Sequence, residues 1–370
     1  MNDRTIIEVI PNPLVRSMPT WVPPSLFKKR FTATSHPKRM HLNESPYPPS
    51  PSVIDAMKKA CEAVNRYPDA HWQALVTALA ERTGIPAARI VLGNGSDELI
   101  ASAGRIALMP GDTVIAPVPS FASFAKAALI NGASLRAVKV RKDGACDVEA
   151  MLEAIDETTR LLFLATPNNP TGAMLTASEV RKVAMEVPET CLLVVDEAYH
   201  EFAMQAGGED PLPVLNTRTG PWVVFRSFSK AYGLAGIRVG YGICGSEEVV
   251  GGFQLARNAF TVNAIAQAGA LAALQDTEHM ESIVAAMATE RERVSAGLRG
   301  LGCETFPSVA NFVTARTRLA AVDVMKALEA RGILISRLST KGFENHIRVT
   351  VGKSEETNAL LSEMRKILEA

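Results

Sequence analysis

The chain has 370 residues, of which 47% are hydrophobic, 21% charged and 6% aromatic; that is ample for a core spread over two domains and excludes disorder, collagen and coiled coil. The 39 Lys and Arg balance the 39 Asp and Glu, so no bulk field draws the protein to nucleic acid or an anionic membrane, and a small molecule or another protein is the expected partner. Five widely spaced cysteines without a C-x-x-C pair fit a reducing cytoplasm, as does an opening, MNDRTIIEVIPNP, that lacks the basic start and apolar run of a signal peptide.

Residues 1–50 are rich in proline, which forbids long helices and predicts an extended arm lying over something else. From Val53 the spacing of Ile54, Met57, Cys61 and Val64 predicts a helix, and a second one covers Trp72 to Glu81. Six short apolar runs follow as predicted strands: Arg89–Leu92, Thr113–Ala116, Leu161–Ala165, Leu192–Val195, Val223–Phe225 and Val239–Cys244. Most are apolar on both faces, as buried parallel strands require, and helical stretches between them predict an α/β layered domain over 51–265. Helical texture runs from Glu247 to Arg299. Strands near Asn311–Ala315, Ile333–Leu338 and His346–Val351, with helices at Ala321–Ala330 and Ser354–Glu369, predict a smaller α+β domain over 266–370.

Four motifs carry chemistry. Ser227-Phe-Ser229-Lys230 follows a predicted strand, where ligands of open α/β sheets bind, and Arg238 comes eight residues later among glycines. An amine and a guanidinium facing one pocket suit an aldehyde that bears a phosphate, with the two serine hydroxyls assisting. Gly93-Asn-Gly95-Ser96-Asp97 opens a helix, where free backbone amides attract an anion. The dinucleotide fingerprint is not completed there, and many strand-to-helix turns look similar. Asn168-Asn169-Pro170-Thr-Gly172 follows a third strand, and Asp196-Glu197-Ala198-Tyr199 a fourth. A buried strand-end aspartate needs a cation such as a protonated pyridine nitrogen, although Asp196 alone reads more readily as a helix cap. Tyr199 and Asn169 could bond a ring hydroxyl. Phe121 could stack on a ring or simply fill the core.

In this order the four motifs resemble the pyridoxal-phosphate aminotransferases of fold type I, over nearly the whole chain. The resemblance implies a large cofactor domain with a mostly parallel mixed sheet flanked by helices, a smaller α+β domain and an N-terminal arm. It makes Lys230 the Schiff-base lysine and proton carrier, Asp196 the partner of the pyridinium nitrogen, and Asn169 with Tyr199 the holders of the ring oxygen. Gly95, Ser96, Asp97, Ser227, Ser229 and Arg238 would surround the phosphate of pyridoxal 5'-phosphate, with Phe121 stacked on the ring.

The blocks His41-Leu-Asn43-Glu44-Ser-Pro-Tyr47, Asn65-Arg-Tyr67-Pro-Asp69 and Ile347-Arg348-Val-Thr-Val-Gly352 look most like the histidinol-phosphate aminotransferase subgroup. That likeness implies transfer from histidinol phosphate to 2-oxoglutarate within histidine biosynthesis. It places Asn43 and Tyr47 near the substrate, Arg348 on a carboxylate, Arg337 on the substrate's phosphate, and Tyr67 across a two-fold dimer in the neighbouring site. Aromatic aminotransferases and a threonine-phosphate decarboxylase share the same cofactor residues; the aromatic reading would make Tyr47 and Trp21 pocket walls. A remote alternative is the S-x-x-K of serine acylases, with Ser227 as nucleophile, but S-D-N and K-T-G are missing from the chain. The six histidines form no i,i+4 pair, so no metal is expected.

Overall fold

A computed structural model of the chain describes residues 13–16 and 36–369. Most of the arm, Trp21 included, lies outside the described residues. In chain order the strands are β1 (Lys38–Met40), β2 (Ile90–Gly93), β3 (Thr113–Val118), β4 (Ser134–Lys139), β5 (Thr159–Ala165), β6 (Leu192–Asp196), β7 (Trp222–Ser227), β8 (Gly240–Cys244), β9 (Glu304–Thr305), β10 (Phe312–Arg316), β11 (Ile333–Arg337) and β12 (His346–Thr350). Seven of them form the large sheet in the order β2-β8-β7-β6-β5-β3-β4, parallel except for β8, which runs against both neighbours. The other five form the small sheet, β1-β11-β12-β10-β9.

The central strands β5, β6 and β7 are buried on both faces, as their unbroken runs of Leu, Val and Phe require. Their carboxyl ends carry Ala165, Asp196 and Ser227, and each leads into a turn that holds site residues. This is the edge where open α/β sheets bind ligands. Strand β4 escapes the sequence pattern because Ser-Leu-Arg-Ala-Val-Lys sits half-exposed at the sheet edge and lacks an apolar run.

Residues 38–40 of the arm form an edge strand, pairing parallel with β11 and burying Met40 in the small core. Apolar packing also divides later than residue 265. The helix Ala264–Gln275 and the first half of Thr277–Gly300, through Met287, pack into the large core, while Val294 and Leu298 of the same helix join the small one. A single helix thus spans both cores. No helix among the described residues is long and apolar enough to cross a membrane.

Candidate active site

A cavity of about 260 Å³ opens at the carboxyl ends of β5, β6 and β7, and its walls include Ser96, Asp97, Phe121, Asn169, Asp196, Tyr199, Ser227, Ser229, Lys230 and Arg238. Nearly every residue the sequence assigns to the cofactor meets there. Gly95 lies just behind: it holds φ +78° as the cap of the helix Ser96–Ala107, and a Cβ on it would collide with the Arg238 guanidinium. Arg238 is itself in the left-handed region at φ 59°, which swings its side chain back over that helix start. Its Nη1 reaches the Ala235 carbonyl at 3.2 Å and Ser229 Oγ at 3.5 Å, and no carboxylate pairs with it among the described residues. With the Ser227 and Ser229 hydroxyls and the amides of the helix start, it makes a cradle for a dianion.

Asp196 ends β6 and is buried, and its carboxylate accepts one hydrogen bond among the described residues, from the Ala198 amide at 3.0 Å. Burial, only partly offset by that bond, lifts its carboxyl to about 6. The Lys230 amine donates to the Asn43 carbonyl at 3.0 Å and lies 5.9 Å from the centre of the Tyr199 ring. Burial, then the positive charges of Arg348 and Arg238, hold this amine down at about 8. It does not bond Ser227 Oγ, which instead accepts the Ser229 amide, so the acylase pair is not formed.

The substrate residues divide. Asn43, at φ 54°, donates Nδ2–H to the Tyr199 hydroxyl at 2.9 Å and is locked by Thr350 of β12 and Asn311 just before β10. Arg348, half-buried, donates to Asn169 Oδ1 at 2.5 Å, to the His41 carbonyl at 2.9 Å and to Ser336, while its Nε has no partner. Neither Tyr47 nor Arg337 lines the cavity. Tyr47 packs under the Lys353 ammonium, and Arg337 ends β11 as an exposed cation without an ion pair among the described residues. Tyr67 is 80% exposed and stacks on Phe260 at 4.4 Å, outside the cavity of its own chain.

Three contributors carry no role in the sequence reading. Glu44 forms part of the cavity wall while paired with Arg39 at 2.8 Å, and Asn311 and Thr350 fix Asn43. Glu44 stands beside Asn43 in one quoted block and Thr350 beside Val349 in another, so both could have been found there; Asn311 carries no local signal, because only the tertiary fold brings it across.

Residues 39–363 match the family model described as aminotransferase class I and II. Histidinol-phosphate aminotransferase 1 of Mesorhizobium japonicum is 36% identical over 330 residues, 89% of this chain and 90% of that protein. Histidinol-phosphate aminotransferase 3 of Rhizobium meliloti is 37% identical, with 89% of each chain covered. Among solved structures, histidinol-phosphate aminotransferase from Sinorhizobium meliloti in complex with pyridoxal-5'-phosphate superposes with a TM-score of 0.90 at 29% identity, covering 97% of both chains.

Proposed function

Since the chain belongs to the class I and II aminotransferases, we propose that its site moves the amino group of histidinol phosphate onto 2-oxoglutarate, with pyridoxal 5'-phosphate as carrier. One observation carries this reading: a single cavity gathers the Lys230 amine, the Asp196 carboxylate and the Arg238 guanidinium, none of them in an ion pair among the described residues. The donor follows from relatives at 35–37% identity over about nine-tenths of the chain, all bearing that substrate in their names.

The residues fit the cofactor. A buried carboxylate that lacks a cation is costly, and a protonated ring nitrogen relieves that cost. Arg238, the serines and the helix start supply the donors a phosphate needs. When bound, the cofactor contributes a protonated, electron-withdrawing ring that makes the hydrogen beside the donor's amine acidic.

The chain's own residues do the rest. Asp196 would hold the ring nitrogen in its protonated form. Lys230 Nζ, half neutral near pH 8, takes up a proton and later returns it, the work of a general base whose pKa lies close to the operating pH. Asn43 orients the Tyr199 hydroxyl, and Asn169, its Oδ1 occupied by Arg348, offers Nδ2 as a donor beside it. Phe121 offers its ring as a wall. Arg348, without a carboxylate partner, suits the carboxylate of the keto acid, and the unpaired Arg337 suits the donor's phosphate. The exposed Tyr67 suits a two-fold dimer in which it completes the partner's site.

Titrating the protein loaded with cofactor, first with histidinol phosphate and then with phenylalanine, tests the assignment through the visible absorption. Loss of the band at far lower histidinol phosphate is expected. Loss with phenylalanine instead would move the donor to the aromatic class.

A further inference from the structure

Behind the cavity, on the opposite face of the large sheet, lies a buried ionic cluster that the mechanism does not use. Strand alternation creates it. Asp196 and Ser227 face the cavity, so their chain neighbours Glu197 and Arg226 face away. Arg226 Nε donates to Glu197 Oε2 at 2.9 Å, and its Nη2 donates to Asp210 Oδ1 at 2.9 Å. His200 Nδ1 lies 3.3 Å from the same Glu197 oxygen. Arg226 is 3% and Glu197 4% exposed, so the pair is desolvated, and the Glu197 amide also donates to the Phe225 carbonyl at 2.8 Å, extending the β6–β7 ladder by one step.

A buried ion pair of this kind is weak evidence for stability, because apolar substitutes of similar volume often serve as well. Its position suggests another use. Glu197 is one residue from Asp196, and its negative charge works against ionisation of that carboxyl. Arg226, one residue from Ser227, meets this charge from the adjacent strand at 2.9 Å. Resting on the reading of the cavity as the cofactor site, we infer that Arg226 and Glu197 are positioning residues, which hold the ends of β6 and β7 together and set the electrostatic potential that Asp196 passes to the bound cofactor.

The inference makes opposite predictions for its two halves. Arg226→Met leaves Glu197 uncompensated, adds negative potential, and should raise the pH midpoint of the visible band of the cofactor bound to Lys230. Glu197→Gln leaves Arg226 with Asp210 as its one ion-pair partner among the described residues and should lower that midpoint; each shift should be at least roughly half a pH unit. The double variant should return close to the starting midpoint and recover cofactor affinity that either single variant loses, measured by fluorescence quenching as the cofactor is added. Arg226→Lys, which keeps the charge but loses the two-pronged contact, should hold the midpoint while binding the cofactor more weakly, and it serves if Arg226→Met does not fold.

Midpoints that move in the same direction for both single variants, or affinity losses that simply add in the double variant, would overturn the inference and leave an ordinary structural pair. A wild-type protein that shows no visible band with added cofactor would instead overturn the reading of the cavity itself.

Discussion

Asn43 donates its amide N–H to the Tyr199 hydroxyl at 2.9 Å, a bond that ties the segment after β1 to the turn after β6. The same residue receives the Lys230 ammonium on its carbonyl and is gripped by Thr350 and Asn311, so one asparagine links both sheets to the Lys230 amine. Its backbone sits at φ 54°, where asparagine is tolerated and alanine strained. Asn43→Gly keeps that conformation and leaves the buried Tyr199 hydroxyl without its partner, which should cost about 1 to 3 kcal/mol of stability. Asn43→Ala should cost about 1 kcal/mol more through backbone strain. Denaturant unfolding of the two variants decides this, and equal stabilities would mean that the left-handed backbone is not kept.

Asp196→Asn should improve the folded protein without cofactor and ruin the enzyme. The carboxyl stands at about 6 rather than the ordinary 3.8, so between these values the folded state holds a proton the unfolded state has lost. Stability therefore falls as pH rises through that window, and the penalty is fully present above about 6. The amide removes it, a gain of about 2 to 3 kcal/mol at pH 7. With the cofactor bound, the sign reverses, because the ring nitrogen loses its counter-charge. Thermal melting with and without cofactor should show the crossing, and a variant less stable than wild type in both states would refute it.

The contrast between these two residues explains what the sequence could reveal. Asp196, Ser227 and Lys230 are legible because they end or closely follow strands β6 and β7, whose apolar runs are unmistakable, and the parallel sheet brings those strand ends to one edge; Arg238 is legible by its spacing from Lys230 among glycines. Asn43 was legible only as part of a resembling block. Its partners Asn311 and Thr350 are 268 and 307 residues away; Thr350 falls within the quoted block Ile347–Gly352 but without a role, and nothing local marks Asn311. The same holds for the fold: β5, β6 and β7 declare themselves by composition, whereas β1 and β4 are edge strands whose pairing is decided by neighbours rather than by their own residues.

The Lys230 amine should be far more reactive than an ordinary lysine. With a value of about 8 instead of 10.5, its neutral fraction rises about tenfold from pH 7 to pH 9 and then levels off. The depressed value also means that stability without cofactor rises with pH between about 8 and 10.5, as the unfolded chain holds the proton that the folded one has released. Stopped-flow mixing of cofactor-free protein with pyridoxal phosphate should follow the neutral fraction, and Lys230→Ala should show no reaction and no turnover. A rate still climbing steeply above pH 9 would place the amine in an ordinary environment.

Arg337 and Arg348 should fail differently when removed. Arg337 is exposed and makes no ion pair among the described residues, so Arg337→Ala should leave the melting temperature nearly unchanged. Its expected cost falls on the donor's phosphate. The kcat/KM for histidinol phosphate should drop roughly ten- to a hundredfold, the worth of one charge-assisted hydrogen bond, while that for unphosphorylated histidinol should barely move. Arg348 instead holds Asn169, the His41 carbonyl and Ser336 together between the two sheets. Arg348→Ala strips those acceptors of their donor, and should therefore lower the melting temperature as well as the affinity for 2-oxoglutarate. Equal losses for histidinol and histidinol phosphate in Arg337→Ala would remove that residue from the phosphate site and leave Arg348 as the anion-binding arginine of β12.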